Sequence, residues 1–303
     1  EVARVNRFPG LWGRKRSDTG AGLGEDIVIV IAFASQRPEV LQLMYALEDK
    51  YDVVAPDVPV VEGPLFDEDF VRVHQDEMQR AYDLLADDLS REVFLDTVRF
   101  KLSGKMEYLR HSESDKDEVF HNLLRPTAEE HFSDPGAYNG DTIRELLHYT
   151  DGKFASVTAL EPARRSFRKL NEWASANITG DVTLVQAGAW NEDTVKCFTD
   201  QAGRQSRVAG QGKETQMRAL DSVLSGRTCT YLQMDGEGAE REAIAGAEKT
   251  IRQYAPKLNI AAYHRSEDFF QLPLLIHALQ PSYRLYLRHH PYVPAWDTNL
   301  YAI

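Results

Sequence analysis

Residues 132–142 read F-S-D-P-G-A-Y-N-G-D-T, and this stretch decides the fold. A short strand runs into a turn bracketed by Gly136 and Gly140, and the turn opens a helix. Glycine lets a backbone turn tightly and lets a ligand approach it closely. Free N–H groups at the start of the helix favour a negative group such as a carboxylate. The spacing is G-x-x-x-G, not the G-x-G-x-x-G of hydride-transfer enzymes.

Outward from this turn, strand and helix patterns alternate. Strands are expected near 131–134, 154–160, 182–187, 229–235, 257–263, 283–288 and 297–303. Helices are expected near 141–149, 162–177, 238–253 and 267–280. Five strands separated mostly by helices, then two with no helix between them, predict a mainly parallel sheet with one late antiparallel strand. A hairpin, about 194–198 with 215–220, interrupts the alternation. The fold class is α/β: a Rossmann-like seven-stranded sheet over 127–303, preceded by a smaller α/β-helical extension over 1–126.

Within the extension, I-V-I-V-I-A-F-A at 27–34 predicts a buried strand. Val40, Leu41, Met44 and Leu47 follow at helical spacing, then a short strand at Tyr51–Val54 and a Pro-rich connection over 56–64. These make a small βαβ-like unit. Residues 67–102 are helical by pattern, with Phe70, Val73, Ala81, Leu84 and Leu85 on one stripe and Ser90 as N-cap of a second helix. The string Gly20, Gly22, Gly24 comes before its strand, so it is not a phosphate loop, which must follow one. The extension is expected to cover a binding site, to shape what binds there or to form a homodimer.

Among 303 residues, 43% are hydrophobic and 27% charged, the balance of a globular protein with a real core. Forty-seven acidic residues against 35 basic ones leave a net charge of −12. That argues against a nucleic-acid backbone or an anionic membrane surface as the main partner. The longest apolar run is far short of a membrane span, and the N-terminus has no signal-peptide pattern, so a cytoplasmic location is expected. Cys197 and Cys229 lie in strand-like segments and read as buried, reduced thiols. No Cys/His spacing resembles a zinc site.

In doubly wound sheets, ligands bind at the carboxyl ends of the strands. The strand before 161 ends A-L-E-P, with Glu161 standing 21 residues beyond Gly140. An acid there accepts hydrogen bonds from both ribose hydroxyls of an adenosine; it also suits the first turn of a helix that begins at Pro162. Residues 231–240 read Y-L-Q-M-D-G-E-G-A-E, placing three acids at the exit of an apolar strand. Asp235 and Glu237 are expected to face the cleft, while Glu240 lies in a helical first turn where the macrodipole stabilises it. Asp235 and Glu237 alternate along the chain, so they are not expected to converge on one ion, and no metal is expected.

In these segments the chain resembles the FkbM-type methyltransferase family over about residues 80–303. The resemblance rests on L-L-A-D-D-L-S-R-E-V-F at 84–94, D-P-G-A-Y-N-G-D-T at 134–142, L-E-P at 160–162 and Q-A-G-A-W at 186–190. It continues in M-D-G-E-G-A-E at 234–240, A-G-A-E-K-T-I at 245–251, Y-H-R-S-E-D at 263–268, L-R-H-H at 287–290 and W-D-T-N-L-Y-A at 296–302. It implies a class I methyltransferase domain that uses S-adenosylmethionine, usually on a hydroxyl of a sugar, glycan or polyketide. On that basis Asp134, Gly136, Ala137, Tyr138, Asn139, Gly140, Glu161, Pro162, Gln186, Ala187 and Asp235 are expected to bind the cofactor. Pro135 and Gln233 depart from the pattern, where a small apolar residue and a Lys are usual.

A hydroxyl is a poor nucleophile unless its proton is removed as the new bond forms. His264, Asp235 and Glu237 are the catalytic candidates; a histidine titrates near neutrality and suits a base, or else only shapes the pocket. Tyr263, Arg288, His289 and Trp296 are candidates for the acceptor side, expected to take a small-molecule or glycan acceptor. Two other readings compete, an adenosine-cofactor oxidoreductase and a non-catalytic relative that binds a glycan or partner.

Overall fold

The computed structural model describes residues 28–61, 63–198 and 213–303. The glycine string at 20–24 and the first residue of the expected strand lie outside them. Strand β1 (Val28–Val30), helix α1 (Pro38–Glu48) and strand β2 (Asp52–Val54) form the expected βαβ unit, with β1 and β2 parallel. The expectation of a buried strand over 27–34 is corrected: β1 has three residues, and Val28 and Val30 are 56% and 55% exposed. In this two-stranded sheet one face of β1 looks outward, while Ile31, Leu41, Met44 and Val53 meet Phe100 and Met106 in a small core.

The helical stretch after residue 67 divides into α2 (Glu68–Leu84) and α3 (Asp88–Ser103), because Leu85 turns extended and bridges to Leu285. The cap of α3 is Asp87, whose carboxylate accepts from Ser90 N at 2.9 Å, rather than Ser90 itself. Ser90 is fully buried and accepts instead from Leu287 N and Arg288. Helices α4 (Met106–His111) and α5 (Lys116–Val119) follow, the latter running into a π-helical turn, Phe120–Leu124.

The second half builds the sheet. Its elements are β3 (His131–Pro135), α6 (Asp141–Tyr149), β4 (Ser156–Leu160), α7 (Arg164–Asn177) and β5 (Asp181–Val185). Then come β6 (Gly188–Ala189), β7 (Thr194–Phe198), β8 (Lys213–Arg218), α8 (Leu220–Leu224), β9 (Tyr231–Met234), α9 (Glu240–Ala245) and α10 (Glu248–Tyr254). Strand β10 (Lys257–Ala261), helix α11 (Asp268–Leu279), and strands β11 (Leu285–His289) and β12 (Thr298–Ala302) complete the chain. The sheet order is β11-β12-β10-β9-β3-β4-β5, with β12 antiparallel to both neighbours. The expected hairpin forms as β7 with β8, and β6 joins it as a third strand. The single helix expected over 238–253 is two, α9 and α10.

Side chains alternate across a strand, and here alternate positions feed two cores. Leu232, Leu285, Leu287, Leu300 and Ala302 join Phe269, Phe270 and Ile276 of α11 and Phe70, Ala81 and Phe94 of α2 and α3. Tyr231, Tyr286 and Tyr301 join Phe132 and Val157 on the other face, under Ile143, Leu146 and Leu170 of α6 and α7. Helices α2 and α3 of the expected extension therefore share a core with the sheet. Cys229 is buried and Cys197 half-buried, both as free thiols. No helix among the described residues is long and apolar enough to cross a membrane.

The chain leaves β3 toward β4 and β5 on one side and returns through β9 to β10 on the other. The reversal of strand order thus falls between β3 and β9, where doubly wound sheets open a crevice.

Candidate functional site

The turn after β3 and the exit of β9 touch. Gly136 holds φ +119°, and a Cβ there would stand 2.3 Å from the carbonyl oxygen of Asp235, so only glycine fits. The amides of Gly136 and Ala137 donate to Leu160 O at 2.9 and 3.0 Å, tying the turn to the end of β4. Around these ends lies an open cleft that encloses about 890 Å³ of space, part of it continuous with solvent. Glu161, only 6% exposed, lies on its wall and accepts from Ala163 N at 2.7 Å through one oxygen.

Of the expected cofactor residues, Gly136, Tyr138, Glu161, Pro162 and Asp235 line this cleft. Asp134 and Ala137 are buried and outside its lining. Asn139 instead holds the Arg144 guanidinium, and Gly140 lies against Trp173 and Leu170. Gln186 is exposed and Ala187 buried, and neither lines the cleft. Asp141, Thr142, Ser166, Gly188 and Met217 do line it and were not foreseen. Thr142 stands inside the quoted glycine turn, whereas Met217 comes from the inserted hairpin, and no periodicity announces it.

The expectation that alternation keeps Asp235 and Glu237 apart fails, for a backbone reason. Glu237 holds φ +51° and Gly238 φ +91°, so the chain doubles back at once after β9. Asp235, Glu237 and His264 each bring a donor atom within 4.8 Å of the others. His264 Nε2 lies 3.3 Å from Asp235 Oδ1 and 3.7 Å from Glu237 Oε2. Its Nδ1 lies 2.8 Å from Glu240 Oε1, in close contact but off the line of a well-aligned hydrogen bond. That same Glu240 oxygen accepts from Gly236 N at 2.8 Å, so Glu240 faces inward as well as starting α9.

Burial of His264 would by itself discharge the ring, but Glu240 and Asp235 outweigh it and hold its pKa well above the ordinary value. A charged imidazole donates and does not accept, which moves the basic role in this cluster to the carboxylates. Proximity of Glu240 to the ring, 24 residues away in sequence, is what a linear reading of His264 lacks.

A second, polar cavity of about 700 Å³ adjoins the first. Gln36, Lys116, Glu145, Gln233, Asn259, Tyr263, Tyr292, Asp297 and Asn299 line it, and Asp141, Thr142 and Asp235 line both cavities. Lys116 pairs with Glu145 at 2.7 Å, and Gln233 accepts from Tyr231 and Asn259. Of the acceptor-side candidates only Tyr263 lines this cavity, its hydroxyl 3.5 Å from Asp235 Oδ2.

Arg288, His289 and Trp296 line neither cavity. Arg288 and His289 sit on β11, the edge of the sheet, which α3 covers. Arg288 is buried against Asp87 at 2.6 Å and Ser90 at 2.7 Å. His289 contacts Thr298 at 3.0 Å, and burial pushes its pKa down to about 4, so it is neutral. Trp296 lies beside Tyr292, with ring centroids 5.9 Å apart and the ring planes tilted by 44°.

The concentration of acid has a measurable consequence. Burial, with Asp141 and Asp235 nearby, pushes the fully buried Asp134 up to about 8, despite the hydroxyl of Thr142 bonded to it. Burial and Glu240 likewise raise Asp268. Both groups, and His264, keep protons in the folded state that the unfolded chain releases, so stability falls as pH rises. For Asp134 the window runs from its unfolded value, about 4, up to about 8. Thermal unfolding should therefore shift upward as pH is lowered from 8 toward 5, and Asp134→Asn should flatten that slope. An unchanged slope in the variant would remove Asp134 from this linkage.

A family profile described as the methyltransferase FkbM domain matches residues 134–294. The solved structure of a methyltransferase FkbM from Methylobacillus flagellatus KT is 25% identical, with a TM-score of 0.67, covering 86% of this chain and 76% of that chain. An rRNA methylase from Streptococcus thermophilus is 15% identical with a TM-score of 0.42, covering 62% of this chain and 95% of its own. Fibrillarin from Aeropyrum pernix, solved with natively bound S-adenosyl-L-methionine, is 10% identical with a TM-score of 0.40, covering 61% and 71%. Comparison with curated proteins finds no match.

Proposed function

Since the chain belongs to the FkbM methyltransferase domain family, we propose that it transfers methyl from S-adenosylmethionine to a hydroxyl of a sugar, glycan or polyketide-type acceptor. The observation that carries this reading is the junction at Asp235, Asp141 and Thr142, where the two cavities meet. Methyl transfer needs a donor and an acceptor held on either side of one carbon, in line.

The donor set fits the cofactor. S-adenosylmethionine is a cation with a ribose diol, and Glu161, Asp141 and Asp235 are carboxylates on the wall of the larger cleft. Glu161 would accept from the ribose hydroxyls, and Asp141 and Asp235 would face positive charge. When bound, the cofactor supplies an electrophilic methyl group. The protein's part is to align the acceptor oxygen, to exclude water and to take a proton. Asp235 is placed for that last role at Oδ2, the oxygen nearer Tyr263. Behind it, His264 and Glu240 hold the carboxylate in position.

The lining of the polar cavity supports a polyhydroxylated acceptor. Side-chain amides of Gln36, Gln233, Asn259 and Asn299 offer both donors and acceptors. Among the described residues that line it, Asp141, Glu145, Asp235 and Asp297 outnumber Lys116, which disfavours a phosphorylated acceptor by like-charge repulsion. A covering role for the N-terminal segment is supported by Val61, whose amide donates to His264 O at 3.1 Å, and by Ser266, which donates to Pro64 O.

The acceptor side is tested by following labelled methyl onto matched neutral and phosphorylated sugars or sugar-bearing polyketides. Transfer to neutral hydroxyls over the phosphorylated partners is expected. Preference for the phosphorylated forms would contradict the reading of this cavity.

A further inference from the structure

The spacing inside the acid–histidine cluster is not that of a set of hydrogen bonds. His264 Nε2 stands 3.3 Å from Asp235 Oδ1 and 3.7 Å from Glu237 Oε2. An N–H···O bond between such groups closes to about 2.7–3.2 Å. Donors held about 2.0–2.2 Å from one divalent ion, at octahedral or tetrahedral angles, lie roughly 3.0–3.5 Å from one another. The two nitrogen–oxygen separations, 3.3 and 3.7 Å, fall close to the edges of such a polyhedron, and all three donor atoms lie within 4.8 Å of one another.

A further observation points the same way. The imidazole is 1% exposed and aimed into the cluster, with the buried carboxylate of Glu240 at 2.8 Å on its far nitrogen. A carboxylate behind a ligating imidazole is the common outer support of a metal-bound histidine.

We propose that Asp235, Glu237 and His264 bind one divalent cation at the junction of the two cavities, the imidazole giving up its Nε2 proton to solvent as the ion binds and Glu240 supporting the ring from behind. One nitrogen and two carboxylate oxygens suit an ion of intermediate hardness such as Mn²⁺. The ion would stand where an acceptor hydroxyl arrives and make that hydroxyl more acidic. As the oxygen–carbon bond forms and the carbon–sulfur bond breaks, the electron pair leaves with sulfur and the hydroxyl proton passes to Asp235 Oδ2. Oδ1 of the same carboxylate is the atom that faces the cluster.

Binding of the ion needs neither cofactor nor acceptor, so it is tested apart from methyl transfer. The full chain, dialysed against a chelator, is titrated with Mn²⁺ while free ion is followed by its paramagnetic resonance. The expected result is one saturable site per chain, weakened at least tenfold by Glu237→Gln and unchanged by Glu145→Gln. Glu237 is partly exposed at a surface turn, so its replacement leaves the core intact. Failure to saturate up to about 1 mM ion, or affinity unaffected by Glu237→Gln, overturns the proposal.

Discussion

Glu161→Ala should weaken S-adenosylhomocysteine binding by about 100- to 10,000-fold. The estimate counts two hydrogen bonds to a charged carboxylate at about 1.5–3 kcal/mol each, with 1.4 kcal/mol per tenfold. The residue is 6% exposed, lines the larger cleft and is fixed by the amide of Ala163 at 2.7 Å. That second contact ties Glu161 to the backbone just before α7, so the alanine variant also loses about 1 kcal/mol of stability with the hydrogen bond. Glu161→Gln separates the two effects, because its amide oxygen still accepts from Ala163 N while the charge is gone. A loss of affinity in Gln nearly as large as in Ala, with stability restored, assigns the effect to the ligand. Wild-type affinity in the alanine variant would remove Glu161 from the cofactor site.

The second large effect is expected at the junction. Asp235→Asn should lower turnover by about 100- to 10,000-fold, the usual contribution of a positioned base. Affinity for S-adenosylhomocysteine should stay within a few-fold, because the neighbouring carboxylates of Asp141 and Glu161 remain on the cleft wall. The side chain is 38% exposed, so an isosteric amide is accommodated without repacking. Steady-state rates and calorimetry on the same preparation decide the matter. Turnover within a few-fold of wild type would show that another group takes the proton.

Much of the architecture was legible because strand burial writes itself into sequence. Strands β4, β10 and β12 are apolar segments bounded by turns, and each falls within the span expected from pattern. The antiparallel β12 was legible because no helix separates it from β11. Local breaks were less so. Leu85 fits the apolar stripe of a continuing helix, yet an extended backbone and a bridge to Leu285 stop α2 there.

The candidate site divides in the same way. Glu161 and Asp235 were readable because each stands at the carboxyl end of a strand, β4 and β9. Arg288 was misplaced because its partner, Asp87, lies 201 residues away and no pattern joins them. The polar cavity draws Gln36, Lys116 and the loop of Tyr292 and Asp297 from distant parts of the chain, and of these positions Asp297 alone stands in a quoted motif. The reversal at Glu237 depends on a positive φ at a residue other than glycine, which sequence does not announce.

The most direct measurement is a calorimetric titration of the full chain with S-adenosylmethionine and S-adenosylhomocysteine, with thermal unfolding alongside. Saturable binding of one ligand per chain is predicted, with about 2.7 kcal/mol of added stability at 100 times the dissociation constant. Absence of binding by both methods would contradict the assignment of the larger cleft to this cofactor.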